Sequence, residues 1–285
     1  LLIFAQISYM DKIPGINIKS ARFLFAIAMI AMGIEHFIFG DFIAGRAPAW
    51  PQGIPGRLVW AYLSGVTLIL AGITILLEKR ARMTVMLAAA IIFVWSGLRN
   101  LPGLIMHPQS GLDWANTGKS LAISGGAFIV AATFPPEEPP VRRLRWFQQQ
   151  ADRLARLGGY FIGLFMILCG IEHFIYVQFV ATLVPAWIPG HTFWARFAGV
   201  ALIAGGLGLV LRIQARLAAG LAGIMIFIWT IVLHLPRAIA APLQGNGNEL
   251  TALQEALAFS GALFILYIVI GQRSALKERQ ILAAN

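Results

Sequence analysis

Residues 33–38 read GIEHFI, and residues 170–175 read GIEHFI again. Each copy places Glu beside His close to the end of a long apolar run, in a chain where only 12% of residues are charged. The 137-residue offset between His36 and His173 also relates Pro48-Ala49-Trp50 to Pro185-Ala186-Trp187. Beyond those loops the offset shortens to 134, aligning Trp60 with Trp194, Gly65 with Gly199, Trp95 with Trp229, and Leu101-Pro102 with Leu235-Pro236. Self-similarity at a fixed offset is the signature of a duplicated structural unit. The chain therefore reads as two copies of one four-helix unit.

Composition sets the solvent of that unit. Hydrophobic residues make up 59% of the 285, far from soluble usage, where about 25% are charged. Crossing a bilayer takes about 20 apolar residues. Runs of that kind fall near residues 21–39, 58–77, 83–101, 117–134, 157–177, 193–211, 217–235 and 251–270. The expected fold class is an all-α membrane protein with eight transmembrane helices, arranged as two tandem four-helix bundles. An even number of helices per unit makes this a parallel repeat, related by an axis along the membrane normal. The expected units are residues 1–134 and 157–285, joined by a Pro/Arg-rich linker at 135–156.

The net charge of +10 follows topology rather than nucleic-acid binding. With both termini cytoplasmic, that side carries 16 Lys and Arg and the other side 6, as the positive-inside rule requires. In the linker FPPEEPPVRRLRWFQQQADRLARLG, prolines stop helix continuation. Val141, Leu144, Phe147, Leu154 and Leu157 then sit among arginines as an interfacial helix. At the N-terminus, LLIFAQISYMDKIPG lacks a signal-peptide pattern, and Met10 is the expected start, with residues 1–9 an extension or a short run lying on the membrane.

A carboxylate inside a span costs up to about 2.5–3.5 kcal/mol at its centre, so Glu35-His36 and Glu172-His173 ask for a role. Adjacent helical residues point about 100° apart, and the sequence leaves open which of each pair faces inward. It also leaves open a purely structural use, in which the pair holds backbone groups of the following loop. Those loops, APAWPQGIPG and VPAWIPG, are stiffened by proline. Trp50 and Trp187 serve there as interfacial anchors or as lids over a cleft. On the third helix of each unit, Ser96 and Asn100 correspond to Thr230 and His234, a spacing of four that puts each pair on one face. One polar pocket per unit is expected near the outer end: Glu35, His36, Ser96 and Asn100, and Glu172, His173, Thr230 and His234. Such a set would hydrogen-bond a quinone oxygen and pass its proton outward. Haem or a metal is the weaker alternative, because no dense His/Cys cluster exists and no metal ligand set is assigned. His107 and His191 read as solvated loop residues. Arg99 and Arg237 read as snorkelling cations or as neutralisers of a Glu. With Cys169 the only cysteine, the chain can neither form an intramolecular disulfide nor run a dithiol relay by itself.

The order GIEHF, VPAWIPG, WARFAGVALIAGGLGLVL, the basic turn RIQAR and a helix closing on HLP resembles the DoxX family of bacterial four-helix membrane proteins, here in tandem. The resemblance implies a compact antiparallel bundle per unit and a place in the bacterial inner membrane. It brings two lines of function: a quinone-contacting subunit of a respiratory or sulfur-oxidising redox system, or a non-catalytic scaffold or assembly factor. Expected partners are the lipid bilayer and other subunits of a membrane complex, with no nucleic acid.

Overall fold

The computed structural model describes residues 17–43, 46–137, 142 and 144–284. Residues 1–16, with Met10, and Val141 in the linker lie outside the described residues. Among the described residues the structure is helical throughout, with twelve α-helices: α1 (Ile18–Phe39), α2 (Arg57–Leu77), α3 (Ala81–Trp95), α4 (Leu101–Met106), α5 (Gly111–Ala132), α6 (Leu144–Gln149), α7 (Ala151–Ile175), α8 (Val177–Leu183), α9 (His191–Val210), α10 (Ala215–Trp229), α11 (Leu235–Ala240) and α12 (Asn248–Ala284). Side-chain caps mark some starts. Asn17 accepts from the Lys19 amide at 2.9 Å and Ser110 from the Asp113 amide at 3.2 Å, each satisfying a first-turn donor. Gly40, at φ 58°, ends α1 in the left-handed conformation that glycine adopts without steric cost.

A π-helical turn, Ser96–Asn100, joins α3 to α4, and a second, Thr230–His234, joins α10 to α11. In each, the amide after the turn reaches back five residues, Leu101 to Ser96 and Leu235 to Thr230. The next residues are Pro102 and Pro236. Proline cannot donate to the carbonyl four back, and its ring crowds that carbonyl, so the helix widens by one residue just before it. The two basic turns also match. Glu78 and Arg80 have φ of 52°, and Arg212 and Gln214 have φ of 57° and 48°, at the 134-residue offset.

Packing runs round a ring. Helix α1 packs on α2, α2 on α3, α3 on α5, α5 on α7, α7 on α9, α9 on α10, α10 on α12, and α12 returns to α1. Helices α5 and α12 also touch each other. The fourth helix of each sequence unit thus packs on the first helix of the other as well as on the third of its own, where two self-contained bundles were expected. Glycine permits the closest crossings. A Cβ on Gly33 would stand 2.7 Å from the Gly65 carbonyl oxygen, and one on Gly170 2.7 Å from that of Gly199. Between the halves, a Cβ on Gly125 would meet the Gly158 oxygen at 2.8 Å. Backbone approach of this kind replaces the hydrophobic effect as the packing drive inside lipid.

Among the described residues seven helices are long and apolar enough to cross a membrane: Ile18–Phe39, Arg57–Leu77, Ala81–Met106, Ala151–Ile175, His191–Val210, Ala215–Ala240 and Asn248–Leu276. The chain is in this sense a multi-pass membrane protein. The eighth expected run, 117–134, is present as α5 but is not among the seven. Its first half carries Asp113, Asn116, Thr117, Lys119 and Ser120, which face neighbouring helices rather than forming an apolar surface. The expected interfacial helix is also shorter than read. Only Leu144–Gln149 stands apart, and Ala151–Leu157 is already the first part of α7. Arg82 on α3 fixes the linker by donating to the carbonyls of Phe134 at 2.8 Å and Gln148 at 3.0 Å.

Candidate functional site

In the first half, Glu35 and His36 point to different neighbours, as their spacing requires. The Glu35 carboxylate is buried and accepts from Thr251 Oγ1 at 2.8 Å and from Gln254 Nε2 at 2.7 Å, both on α12. Arg46, in the loop after α1, donates to the same Thr251 hydroxyl at 2.9 Å and to the Asn246 carbonyl at 3.1 Å. Thr251 can therefore take a proton contact from the arginine while giving its own to the carboxylate. Hydrogen bonds to an ionised group contribute about 1.5–3 kcal/mol each. This pair ties the first helix of the chain to the last.

His36 faces the other way and is 2% exposed. Its Nδ1 lies 2.7 Å from the Met32 carbonyl, which can only accept. The proton therefore sits on Nδ1, and Nε2 accepts from the Ile43 amide at 3.3 Å. Both ring nitrogens are used, one on the helix and one on the loop that leaves it. The expectation of His36 as a free donor to a quinone is corrected on this ground. Its geometry is that of a clasp.

Above the clasp the loop folds inward. Phe42 is buried and stacks on Trp50 at 5.6 Å with an interplanar angle of 2°. Trp95 packs edge-on to both, at 4.8 Å from Phe42 and 6.0 Å from Trp50. The Arg99 guanidinium lies over Phe42 at 4.5 Å and holds the Pro48 carbonyl. Trp50 stays stacked on Phe42, with its indole N–H bonded to Ile54 O at 2.7 Å. Beside Phe42 and Trp95 is a cavity of about 20 Å³, lined also by His36, Ser64, Thr67, Asn100 and Ser120 among apolar side chains. That is room for about one water molecule. Ser96 is buried beside Asn100, its hydroxyl without a partner. The structure thus brings His36 and Asn100 to one cavity and leaves Glu35 outside it.

The second half repeats the backbone and changes the contacts. His173 Nδ1 donates to the Cys169 carbonyl at 2.7 Å, so its Nε2 keeps a lone pair. Among the described residues no loop amide meets that nitrogen, and Val177–Leu183 coils into helix α8. Phe179, at the position of Phe42, is 65% exposed where Phe42 is 6%. Trp187 is 75% exposed and covers nothing. Thr230 donates to the Ile226 carbonyl at 2.8 Å, leaving its hydroxyl no proton for a ligand.

Glu172 does not find the threonine that serves Glu35. Thr117, the counterpart of Thr251, donates instead to the Asp113 carbonyl at 2.7 Å. Among the described residues Glu172 Oε1 is buried without a hydrogen bond, as are His234 Nδ1 and Glu255 Oε1. Lys119 on α5 pairs with Glu255 Oε2 on α12 at 3.2 Å and lies within electrostatic reach of Glu172, Cys169 and His234. The Lys119 side chain remains 30% exposed, so the cluster is reachable. Arg237, flanking His234, makes a two-pronged ion pair with Glu249 at 2.7 and 2.8 Å. One ammonium thus stands close to two carboxylates and an imidazole, with acceptor atoms left over. Among the described residues no group of three His, Cys, Asp or Glu is arranged to hold a metal ion.

Comparison with protein families, with curated proteins and with solved structures finds no match to this chain. The site has to be read from its own residues. Of the candidates named from sequence, Glu172, His173 and His234 belong to the open half, with Thr230 on the same wall. Glu35, His36, Ser96, Asn100 and Trp50 belong to the closed half. Sequence reasoning passed over Lys119, Thr251, Gln254, Glu255 and Arg46. The signal was present in α12, where Thr251, Gln254 and Glu255 follow the i, i+3, i+4 spacing of one helix face.

Proposed function

We propose that the chain is an integral membrane subunit of a bacterial redox system, respiratory or sulfur-oxidising, and that its second half receives the hydroxyl head of a quinol near the outer face. This reading takes the protein as a DoxX-like tandem repeat with eight spans, α5 being the eighth, in the inner membrane with both termini cytoplasmic. The observation that carries it is the pair of buried carboxylate oxygens without partners among the described residues, Glu172 Oε1 and Glu255 Oε1, with the unpartnered His234 Nδ1 also within electrostatic reach of Lys119. Leaving such groups unpaired costs about 1–3 kcal/mol each, and a ligand bearing O–H groups removes that cost. A quinol hydroxyl donates to Glu172 Oε1, while His173, about 100° away round the helix, keeps the lone pair on Nε2 for a separate donor. The quinol ring and tail continue the apolar surface around Phe179 and Trp187. When a partner subunit removes the two electrons, Glu172 takes the proton of the hydroxyl it holds and the proton of the other hydroxyl passes to water at the outer face.

The test is quinol binding to the protein in nanodiscs. Glu172→Gln and His234→Ala should weaken it at least about tenfold, the size of one charge-assisted hydrogen bond. Unchanged binding in both variants would remove the proposal. A second reading, a non-catalytic scaffold, is favoured by the exposed apolar faces of the second half, where only 33% of the Ala151–Ile175 window and 28% of the Ala215–Ala240 window is buried. Stable partner subunits in native membranes, with no bound quinone, would support it.

A further inference from the structure

At the opposite end of the molecule, where the turn Arg212–Gln214 joins α9 to α10, lies a cavity of about 530 Å³. Arg156 on α7, Arg212 in the turn, Arg216 on α10 and Arg273 on α12 all line it, against one carboxylate, Asp152. None of the four guanidinium groups forms an ion pair among the described residues. Two are held in place by aromatic rings. Arg212 lies 5.4 Å from the Tyr160 ring, and Arg216 lies 4.7 Å from the Tyr267 ring with Nη2 3.3 Å from its hydroxyl. Gly271 makes room for this: a Cβ there would stand 2.7 Å from Arg216 Nε. Below the arginines the wall becomes aliphatic, with Leu209, Leu266 and Val269.

The equivalent turn of the first half shows the alternative. Its backbone is the same, with Glu78 at φ 52° where Arg212 has φ 57°. There Glu78 neutralises the site from within, at 3.6 Å from Arg22 and 3.9 Å from Lys19. Arg82, at the position of Arg216, is covered by the linker through the Phe134 and Gln148 carbonyls. The first half closes its basic end with its own carboxylate and carbonyls, whereas the second half keeps the arginines open and uncompensated.

We propose that this cavity binds a phosphate-bearing anion, with the arginines on the phosphate oxygens, and that its source is an anionic phospholipid whose acyl chains follow the aliphatic wall. Guanidinium groups match phosphate oxygens with two parallel N–H bonds, and basic pockets between membrane helices take anionic headgroups in this way. The same arginines would accept free phosphate, but only a lipid also uses Leu209, Leu266 and Val269.

The experiment measures phospholipid retention by the full chain, using native mass spectrometry from nanodiscs of phosphatidylcholine doped with diphosphatidylglycerol. Three variants are compared: Arg212→Glu, which copies Glu78; Arg216→Gln; and Arg153→Glu, an exposed charge change on α7 outside the cavity. Wild-type protein and Arg153→Glu should retain the anionic lipid, and both cavity variants should lose at least about tenfold in affinity. Excess inorganic phosphate should not displace the lipid. Displacement by inorganic phosphate would overturn the lipid assignment and leave a soluble anion site. Equal loss in Arg153→Glu and the cavity variants would overturn the site altogether, leaving general surface charge. If Arg212→Glu misfolds by size exclusion, Arg273→Gln replaces it with the same expected loss.

Discussion

Replacing His36 with alanine separates the clasp from a catalytic role. The substitution removes two hydrogen bonds, to Met32 O at 2.7 Å and from the Ile43 amide at 3.3 Å. Each such bond contributes about 0.5–1.5 kcal/mol net, and the Ile43 amide, on a residue only 2% exposed, is left unpaired at a further cost of about 1–3 kcal/mol. The expected destabilisation is about 2–4 kcal/mol, concentrated in the Gly40–Trp50 loop. His173→Ala removes one bond, to the Cys169 carbonyl at 2.7 Å, and leaves no loop amide unpaired, so its cost is about 1 kcal/mol. Unfolding by sodium dodecyl sulfate in mixed micelles, followed by tryptophan fluorescence, measures both. Quinol binding should survive in His36→Ala at detergent ratios where the protein stays folded. Equal destabilisation of the two variants, or a loss of binding in folded His36→Ala, would refute the assignment of different roles to the two histidines.

Other outcomes follow from the same contacts. Glu35→Ala should destabilise by about 2–4 kcal/mol, since it removes two bonds to a carboxylate and strands the Gln254 amide, Thr251 keeping the Gly247 carbonyl; the same unfolding assay reads it. Glu172→Gln should leave stability within about 0.5 kcal/mol, because Glu172 Oε1 has no partner to lose, while quinol binding falls. Gly170→Val should cost about 1–3 kcal/mol or more by overpacking against the Gly199 carbonyl, visible as loss of the folded peak in size exclusion. Trp50→Ala should loosen Phe42 beside the small His36 cavity, measured as faster hydrogen exchange at the Ile43 amide, and Trp187→Ala should leave that exchange unchanged.

Much of the architecture was legible because lipid imposes strong rules on sequence. Apolar runs located the long helices but missed polar ends, such as Ala151–Arg156 of α7 and the last fourteen residues of α12, and the GIEHFI and Leu-Pro landmarks matched positions that share backbone conformation, down to the positive φ values at residues 78, 80, 212 and 214. Other features depended on which helix meets which. Hydropathy treats α5 and α12 as belonging to their own halves, yet each also packs on the other half, and Glu35 meets Thr251 only through that packing. The polar first half of α5, with Asp113, Asn116, Thr117, Lys119 and Ser120, keeps that helix out of the seven apolar ones. The π-helical turns were missed although Pro102 and Pro236 announced them, because a proline one turn into a continuing helix was read as an end. The division of labour between Glu and His rested on rotation about the helix. The sequence could say that they diverge but not which neighbour each would meet. Likewise, Trp50 and Trp187 sit in near-identical motifs, and only the structure shows Trp50 stacked on Phe42 and Trp187 exposed.

The central claim is that the second half holds a quinol through Glu172, His173 and His234 while the first half is sealed. A reduced-minus-oxidised absorbance spectrum of the protein purified gently from its own membranes tests it most directly. The account predicts a quinone band in the ultraviolet that is retained in Trp50→Ala and lost in the Glu172→Gln, His234→Ala double variant. A featureless spectrum from folded wild-type protein, or a band that survives in the double variant, would contradict it.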